Sequence, residues 1–299
     1  MTLHESNNSL PNREGGGRVS LWLCLCAGDI LLRREGADGA FSLPIGDEAP
    51  VPLKPWNIVT EISFTPPSLT GGVGGGAAKI VRLDRPVVGI DGLEMMGLRA
   101  SFHVLSAEEY AIASKAAELI YWDANTKYCG CCGSPTKWMT DISKKCPECG
   151  KESWPSVATA VIVRVIRTLS NESSLSRERG GGGEAILLVR ARNFRSNHYG
   201  LVAGFLETGE SLEEAVRREV CEETDIEIDN IRYFDSQPWP YPFGLMVGFT
   251  ADYAGGEIHL QKEELTEGGW FTRDNLPPIP DKASIARRLI DDWLEKGPI

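Results

Sequence analysis

The 299-residue sequence predicts an α+β protein with a small, mainly β N-terminal region, a four-cysteine metal element and a C-terminal region of strands and helices. Three observations predict this arrangement. Short apolar runs broken by Pro and Gly fill the N-terminal third, two Cys-x-x-Cys pairs lie near the middle, and β-branched runs with a Glu-rich helical segment follow them. We expect four segments, namely a disordered tail (residues 1–17), a β-rich domain with a connecting helix (18–125), a zinc ribbon (126–155) and a C-terminal domain (156–299).

The composition is that of a folded protein, with 42% hydrophobic and 24% charged residues. The formal net charge of −11 leaves no global basic field to hold nucleic acid, so such contacts would depend on a local patch. An enzyme of this acidity that acts on anionic substrates needs bound cations to mediate the contact. The longest apolar runs, Val19–Ala27 and Val157–Val163, are far shorter than the ~20 residues of a transmembrane helix, so we expect no membrane partner.

The first apolar run, Val19–Ala27, follows Arg13 and Arg18, as the core of a signal peptide would. No small-residue cleavage pattern comes after it, and the chain continues with Asp29 and a second apolar stretch, which is typical of a β-hairpin. We therefore interpret the run as a strand and expect a cytoplasmic protein. The apolar runs that predict the β-rich domain are Leu21–Cys26, Ile58–Phe64, Ala78–Leu83 and Gly97–Leu105, with a flexible loop at Thr70–Gly76.

The connecting helix is predicted from a capping box. Ser106 and Glu109 have the spacing of an N-cap and its N3 partner, and the helix is expected to run to about Asn125. Beyond the cysteines, the sequence predicts two paired buried strands and a surface loop between them. These are Ala158–Arg167, Ala185–Arg190 and the loop Ser170–Gly183.

Four cysteines have the spacing of a zinc site. Cys129 and Cys132 form one Cys-x-x-Cys pair, Cys146 and Cys149 form the second, and a glycine follows each pair. Each pair offers two thiolates from one tight turn, and four thiolates leave zinc no open position, so we expect a structural zinc ion. The alternative is two disulfides, but a chain of this length does not need such crosslinks.

The remaining cysteines are assigned simpler roles. Cys131 could replace Cys132 as a ligand, but the spacing of the second pair favours Cys132. Cys24, Cys26 and Cys221 are expected to be buried small hydrophobic residues.

A second helix is predicted to begin at Ser211 and to run to about Thr224, since Ser211 and Glu214 form another capping box. Val216 and Val220 form its apolar stripe. On another face of this helix, carboxylates recur at i, i+3 and i+4, in the residues Glu219, Glu222 and Glu223.

Like charges at this spacing destabilise a helix by about a few tenths of a kcal/mol per pair, and the simplest interpretation is a solvated acidic face. The context favours a functional site instead. A glycine loop that carries Glu210 precedes the helix, and Arg218 lies on the helix itself.

The segment Gly204–Ile226 resembles the signature of the Nudix hydrolases, G-x5-E-x7-R-E-U-x-E-E-x-G-U, in which U is a bulky aliphatic residue. One position departs, because Asp225 stands where the family has its second glycine. That glycine ends the helix in a left-handed conformation, which Asp tolerates better than most residues. The matching residues are Gly204, Glu210, Arg218, Glu219, Val220, Glu222, Glu223 and Ile226.

The resemblance implies a Nudix α/β/α sandwich with a mixed sheet, and diphosphate hydrolysis that depends on Mg²⁺ or Mn²⁺. It implies that Arg218 pairs with Glu210 and that one of Glu219, Glu222 and Glu223 activates water, without deciding which. The implied ligands of the catalytic metal are Glu219, Glu223, Glu264 and the carbonyl of Ala203, with Glu263 as the alternative to Glu264.

A second motif, SQPWPYPFGLM at Ser236–Met246, resembles the SQPWPFPxS element of the NADH pyrophosphatase branch, with Gly244 in place of the last serine and Tyr241 in place of Phe. Its prolines stiffen the loop and its aromatic rings offer faces on which a base can stack, although a structural turn has the same composition. The implied substrate-binding residues are Trp154, Gln237, Pro238, Trp239, Pro240, Tyr241, Pro242, Phe243, Gly244 and Ala286.

The resemblance covers residues 106–299 strongly and implies hydrolysis of NADH and NAD⁺ to nicotinamide mononucleotide and AMP by a homodimer. The branch also removes NAD caps from RNA 5′ ends, so NAD-capped RNA is a second expected substrate. Two alternatives remain. One is a Nudix hydrolase that prefers ADP-ribose or another dinucleotide, and the other is a zinc-ribbon binding protein with an inactive Nudix domain.

Overall fold

The computed structural model describes residues 20–36, 39–64, 76–169, 183–192 and 197–296. The predicted tail and most of the two predicted glycine-rich loops lie outside these residues. The chain divides into two compact units, the first comprising residues 1–116 and 138–143 and the second residues 117–137 and 144–299. Among the described residues, no helix combines the length and the apolar character that a membrane span requires.

The first unit is built on a seven-stranded sheet with the order β3-β2-β1-β6-β5, in which β4 pairs with β1 and β7 with β2. Strands β1 and β6 are parallel, and the other described pairs are antiparallel. The strands are β1 (Ser20–Cys26), β2 (Asp29–Glu35), β3 (Ala40–Ser42), β4 (Ile45–Gly46), β5 (Ile58–Phe64), β6 (Gly76–Arg82) and β7 (Leu93–Gly97).

The predicted hairpin at the start of this sheet is confirmed. All of β1 is buried, and Cys26 pairs with Asp29 across a tight turn. Cys24 and Cys26 are buried, as predicted, in a cluster with Trp22 and Val81. Because a short apolar run does not by itself distinguish a strand from a helix, the pairing of Cys26 with Asp29 decides in favour of the strand.

The predicted strand at Gly97–Leu105 is wrong, because only Gly97 belongs to a strand. Helix α1 (Leu98–Ser101) follows at once, and the Ser101 hydroxyl donates to the Leu98 carbonyl within it. Helix α2 (Ala107–Asn125) begins where the sequence predicts. The Ser106 hydroxyl accepts the Glu109 N–H at 3.2 Å, and the Glu109 carboxylate accepts the Ser106 N–H at 3.1 Å.

Three short strands follow α2, namely β8 (Lys137–Thr140), β9 (Ser143–Lys145) and β10 (Glu152–Ser153). Strands β9 and β10 pair antiparallel at Lys144 and Ser153. The buried Lys144 ammonium pairs with the Asp123 carboxylate at 2.8 Å and lies over the Trp122 ring. This ion pair ties the cysteine-rich segment to the end of α2.

The second unit contains a six-stranded mixed sheet with the order β14-β15-β11-β12-β16, and β13 pairs with β11. The predicted strand pair is confirmed, since β11 and β12 are antiparallel neighbours, while β11 and β15 are parallel. The elements are β11 (Ala158–Leu169), β12 (Gly183–Ala191), β13 (Val202–Phe205), α3 (Leu212–Thr224), β14 (Glu227–Pro238), β15 (Gly244–Gly255), β16 (Leu265–Phe271) and α4 (Ile285–Lys296).

This sheet is covered by a helix on each face. Val161 and Val163 of β11 pack in one cluster with Val216 and Val220 of α3. Ile162, between them in sequence, packs in the other cluster with Ile285, Leu289 and Trp293 of α4. Because successive residues of a strand point to opposite faces, these clusters place α3 and α4 on opposite sides of the sheet. The predicted α/β/α sandwich is confirmed.

Candidate active site

The N-terminus of α3 is fixed by its predicted capping box. The Ser211 hydroxyl accepts the Glu214 N–H at 3.3 Å, and the Glu214 carboxylate accepts the Ser211 N–H at 2.7 Å. Cys221 is exposed, so the prediction that it is buried is wrong. It follows the buried Val220 by one residue, about 100° around the helix, and therefore lies outside the apolar stripe.

Arg218 holds the loop before α3 against the helix. Its guanidinium donates to both oxygens of Glu210, at 3.0 and 2.6 Å, and to the carbonyl of Phe205 at 3.0 Å. It also donates to Glu219 at 2.9 Å and to Glu222 at 3.1 Å. The hydrogen bond from Arg218 lowers the pKa of Glu210. One arginine therefore fixes the position of three carboxylates.

Gly204 of β13 makes room for the Glu219 carboxyl. A Cβ added at Gly204 would lie 2.0 Å from the carboxyl carbon of Glu219, a distance at which the two atoms cannot coexist. This close approach explains why the glycine stands opposite the helix.

Glu219 and Glu223 are buried carboxylates with few compensating charges. Burial raises the pKa of Glu219, and Arg218 opposes the shift. Glu223 is 6% exposed, and burial together with the charges of Glu219, Glu264 and Glu222 raises its pKa to about 8. Burial and these three charges all act on the pKa of Glu223 in the same direction. A bound cation would stabilise the ionised form of both groups.

The predicted metal ligands gather at one edge of α3. Ala203 and Glu264 both line the cleft that contains Glu219, and both also line a smaller cleft of about 460 Å³ that contains Glu223 and Glu263. The backbone N–H of Arg192 donates to the Glu264 carbonyl at 2.7 Å, which holds the Glu264 segment beside β12.

The donors at this edge are carboxylate and carbonyl oxygens, the ligands that Mg²⁺ and Mn²⁺ prefer. The residues present therefore fit a hard divalent cation by type. The carboxylates are not packed as tightly as zinc ligands, since among the described residues only the four cysteines converge within 4.8 Å.

A cleft of about 650 Å³ is lined by some of these carboxylates and by aromatic residues. The Trp239 and Tyr241 rings meet edge to face, with centroids 5.3 Å apart. The aromatic and apolar lining is formed by Phe205, Trp239, Tyr241, Pro242, Phe243, Leu245 and Met246, and the polar lining by Glu207, Arg218, Glu219, Glu222 and Glu264. Gly244 also lines it.

Some predicted substrate-binding residues lie away from the lining of this cleft. The Gln237 side chain bonds to the start of α4, donating to the Ala283 carbonyl at 2.8 Å and accepting the Ile285 N–H at 2.7 Å. Ala286 packs in the α4 cluster. Three more predicted residues lie outside the lining. Trp154 and Pro238 are exposed, and Pro240 is buried.

Phe205 was not predicted as a site residue, although it is 67% exposed and lines the cleft. A signal was available, because Phe205 directly follows the glycine that faces Glu219. Leu245 and Met246 were not predicted either. They line the cleft at the start of β15, which pairs in parallel with β11, and no local pattern reveals that pairing.

The four predicted zinc ligands converge in the second unit. The Sγ atoms of Cys129, Cys132, Cys146 and Cys149 all lie within 4.8 Å of one another. The closest pairs are 3.6 and 3.5 Å apart, far longer than a disulfide bond of about 2.05 Å. The sulfurs are therefore free thiols placed for one ion.

Both turns have the same geometry. Gly133 and Gly150 adopt φ +75° and +74°, which glycine tolerates, and their N–H groups donate to the carbonyls of Cys129 and Cys146. The Ser134 N–H lowers the pKa of Cys132 to about 6. Cys131 is exposed and lies outside the converging set.

Comparison with known proteins places this chain in a family. The NUDIX domain model matches residues 175–293, and the model of the NADH pyrophosphatase-like rudimentary NUDIX domain matches residues 19–122. A protein named NAD-capped RNA hydrolase NudC from Deinococcus radiodurans is 38% identical over 204 residues, which cover 68% of this chain and 69% of that protein. The chain belongs to the NADH pyrophosphatase-like branch of the Nudix family.

Other relatives of this Nudix protein carry the same name. NudC from Pseudomonas putida is 38% identical over 213 residues, covering 71% of this chain and 72% of the relative. NudC from Pectobacterium atrosepticum is 39% identical over 184 residues, covering 61% of this chain but only 65% of that relative. A Nudix hydrolase of known structure from Nitrosomonas europaea is 19% identical, covers 57% of this chain and 92% of its own, and superposes with a TM-score of 0.45.

The departure from the Nudix signature has the expected backbone conformation. Asp225 adopts φ 58° and ψ 26° directly after α3, and its N–H donates to the Cys221 carbonyl. This is the left-handed helix end for which the family uses glycine. The aspartate therefore preserves the end of the Nudix helix without touching the carboxylates of the site.

Proposed function

We propose that this protein hydrolyses the diphosphate of NADH and NAD⁺ to nicotinamide mononucleotide and AMP. The observation that carries the proposal is the meeting of two different surfaces in one cleft. Glu219 and Glu264 line the same cleft as Trp239, Tyr241 and Phe243. A dinucleotide needs both surfaces, because its diphosphate must meet cations while its bases stack on aromatic rings.

Each residue of the site has its own role in the proposed reaction. Glu219, Glu223, Glu264 and the Ala203 carbonyl would hold Mg²⁺ or Mn²⁺, whose charge offsets that of the phosphate oxygens when water attacks phosphorus. Arg218 keeps the carboxylates in place through its bonds to Glu210 and Glu219. One carboxylate of the α3 set takes the proton from the attacking water.

Removal of NAD caps from RNA belongs to the same proposal, supported by relatives that are named for it. The net charge of −11 means that an RNA chain would be held by local contacts at the site and not by a global field. We further propose a cytoplasmic homodimer. Eight free cysteines support a reducing compartment, and light scattering after size exclusion would measure the dimer mass.

The four cysteines are proposed to hold one structural zinc ion. The support is the convergence of four thiols with no fifth ligand position, which suits a closed tetrahedral site. Elemental analysis should give one zinc per chain.

Product analysis tests the proposed reaction. Purified protein is incubated with NADH or with ADP-ribose, each with Mn²⁺ and with Mg²⁺, and the products are separated by chromatography. Glu223→Gln removes the buried carboxylate and should lower kcat about 1,000-fold, a loss of the size expected for a group that acts in the reaction. Glu213→Gln is the matched control, since Glu213 is exposed on the same helix and lies outside the cleft.

Nicotinamide mononucleotide and AMP from NADH, lost in Glu223→Gln and retained in Glu213→Gln, would support the proposal. Cleavage of ADP-ribose alone would still support the proposed metal site but would contradict NADH as the substrate. An inactive wild type with both substrates and both metals would contradict the proposal as a whole and favour a binding protein.

A further inference from the structure

An aromatic residue of the cleft, Phe243, is contacted by helix α2. The rings of Tyr121 and Phe243 are stacked, with centroids 5.1 Å apart and planes inclined by 21°. Phe243 lines the cleft, and Tyr121 does not. Both residues lie in the second unit. Tyr121 therefore packs against a ring of the cleft without being part of the lining.

Glu118 lies three positions before Tyr121 on the same helix, and its side chain is half-buried. Burial raises the pKa of Glu118, and the Gly244 backbone N–H opposes the shift. Residues at i and i+3 of a helix point the same way, so Glu118 and Tyr121 lie on one face of α2.

Backbone hydrogen bonds position the loop that carries Phe243. The Trp239 N–H donates to the Gly244 carbonyl at 2.7 Å, and the Tyr241 N–H donates to the Trp239 carbonyl at 2.7 Å. The Ala158 N–H donates to the Phe243 carbonyl at 3.3 Å, and Gly244 pairs with Ala158 in the sheet. These contacts hold the backbone, whereas the stack with Tyr121 is a contact of the Phe243 ring itself.

We propose that Tyr121 is a positioning residue that holds Phe243 in place and thereby sets the affinity for the base of the substrate. The inference rests on the proposed function, because it assumes that the cleft holds a dinucleotide. It assigns a role to a residue that lies outside both the Nudix signature and the proline-rich motif. Since Tyr121 does not line the cleft, binding should change and the chemical step should not.

Steady-state kinetics with NADH and Mn²⁺ tests the inference. Tyr121→Leu removes the ring stack and should raise KM about five-fold with kcat unchanged within about two-fold. Tyr121→Phe keeps the stack and should behave as the wild type. Tyr233→Leu, at an exposed tyrosine on β14, is the matched control.

A double-mutant cycle shows whether Tyr121 acts through Phe243. If it does, adding Tyr121→Leu to Phe243→Leu should raise KM no further than Phe243→Leu alone. Equal and additive effects would contradict the inference, and so would a wild-type KM in Tyr121→Leu. A fall in kcat without a rise in KM would also contradict it.

The two proposals fail in different ways. If the wild type cleaves ADP-ribose but not NADH, the proposed substrate is wrong, and the same variants are compared on ADP-ribose, which carries a base of its own. If the wild type is inactive, binding of AMP is measured by calorimetry. Weaker AMP binding in Tyr121→Leu than in Tyr121→Phe would then support the inference, and equal binding would overturn it.

Discussion

Six strands pair in the same pattern in the two units, and the second unit carries the helix with the clustered carboxylates. In the first unit β1 pairs antiparallel with β2 and β4 and parallel with β6. In the second unit β11 pairs antiparallel with β12 and β13 and parallel with β15. The outer pairs also correspond, because β2 pairs with β7 as β12 does with β16, and β5 pairs with β6 as β14 does with β15.

The difference lies between corresponding strands. Residues 206–226 of the second unit contain the 13-residue helix α3 with its carboxylates. Residues 47–57 of the first unit contain only a three-residue 3₁₀-helix, Pro55–Asn57, with no acidic residue in its first turn. The pairing pattern is therefore shared, and the carboxylates of α3 belong to the second unit alone among these corresponding segments. This agrees with the match of the first unit to a rudimentary Nudix model.

The largest expected effect comes from changing the strand that faces α3. Gly204→Ala places a methyl group on the Glu219 carboxyl, and displacement of this group by about 1 Å should lower kcat/KM about 100-fold. Gly46→Ala is the counterpart in β4 of the first unit, where an added Cβ would meet only Glu48 at an ordinary 3.6 Å. It should leave kcat/KM within about two-fold of the wild type.

Both alanine variants are assayed with NADH and Mn²⁺, and circular dichroism checks that each is folded. Equal activity losses in the two variants would contradict the view that only the second sheet positions the site carboxylates. Equal retention would show that Glu219 tolerates displacement and that its position is not critical.

The second expected effect concerns stability, because the two sheets differ in how their arginines are paired. Arg164 of β11 bonds to Asp292 of α4 at 2.7 Å, with side chains only 10% and 21% exposed. Arg34 of β2 bonds to Glu94 of β7, with side chains 54% and 43% exposed. Asp292→Asn should lower the free energy of unfolding by about 2 kcal/mol, whereas Glu94→Gln should change it by less than about 0.5 kcal/mol.

Urea denaturation at several pH values measures this difference. Burial raises the pKa of Asp292, but the bonds from Lys296 and Arg164 outweigh it, so the net pKa is lowered from its usual 3.8. A lowered pKa contributes stability above pH 3.8 that is lost as the pH falls further. The gap between the wild type and Asp292→Asn should therefore close in acid. A gap that persists there would assign the effect to packing and not to charge.

Much of the site was predictable because its signals are local. The capping boxes at Ser106 and Ser211 fix where two helices begin, and the glycines after each cysteine pair fix the zinc turns. The i, i+3, i+4 spacing of the carboxylates puts them on one face, whatever the rest of the chain does.

The remainder depended on contacts between distant residues. The resemblance implies that Gln237 binds substrate, and no local pattern predicts its bonds to the start of α4, nearly 50 residues later in the chain. The stack of Tyr121 on Phe243 spans an even longer separation. The repeated pattern of strand pairing was also not predictable from the sequence. Strand order is set by pairing, and the two units share no obvious sequence motif. Local patterns cannot report such contacts.

The smallest expected effect is a difference in stability between two glycine variants. The residues changed, one in each unit, both adopt the left-handed conformation. Ala27 adopts φ 51° in the β1–β2 turn, and Asp225 adopts φ 58° at the end of α3. Alanine is strained there, so Ala27→Gly should stabilise the protein by about 1 kcal/mol. Asp225→Gly should add only about 0.3 kcal/mol, since aspartate tolerates this region and its exposed contact with His259, 3.1 Å away, contributes little.

Urea denaturation at neutral pH compares these two glycine variants, and kcat/KM on NADH is measured for both. Activity should be unchanged in Asp225→Gly, because Asp225 contacts none of the site carboxylates. A gain in activity would mean that the family glycine raises kcat/KM through its effect on α3. A loss of stability would mean that the pair with His259 holds the helix end, so that aspartate replaces the glycine by a contact and not merely by tolerating the same backbone conformation.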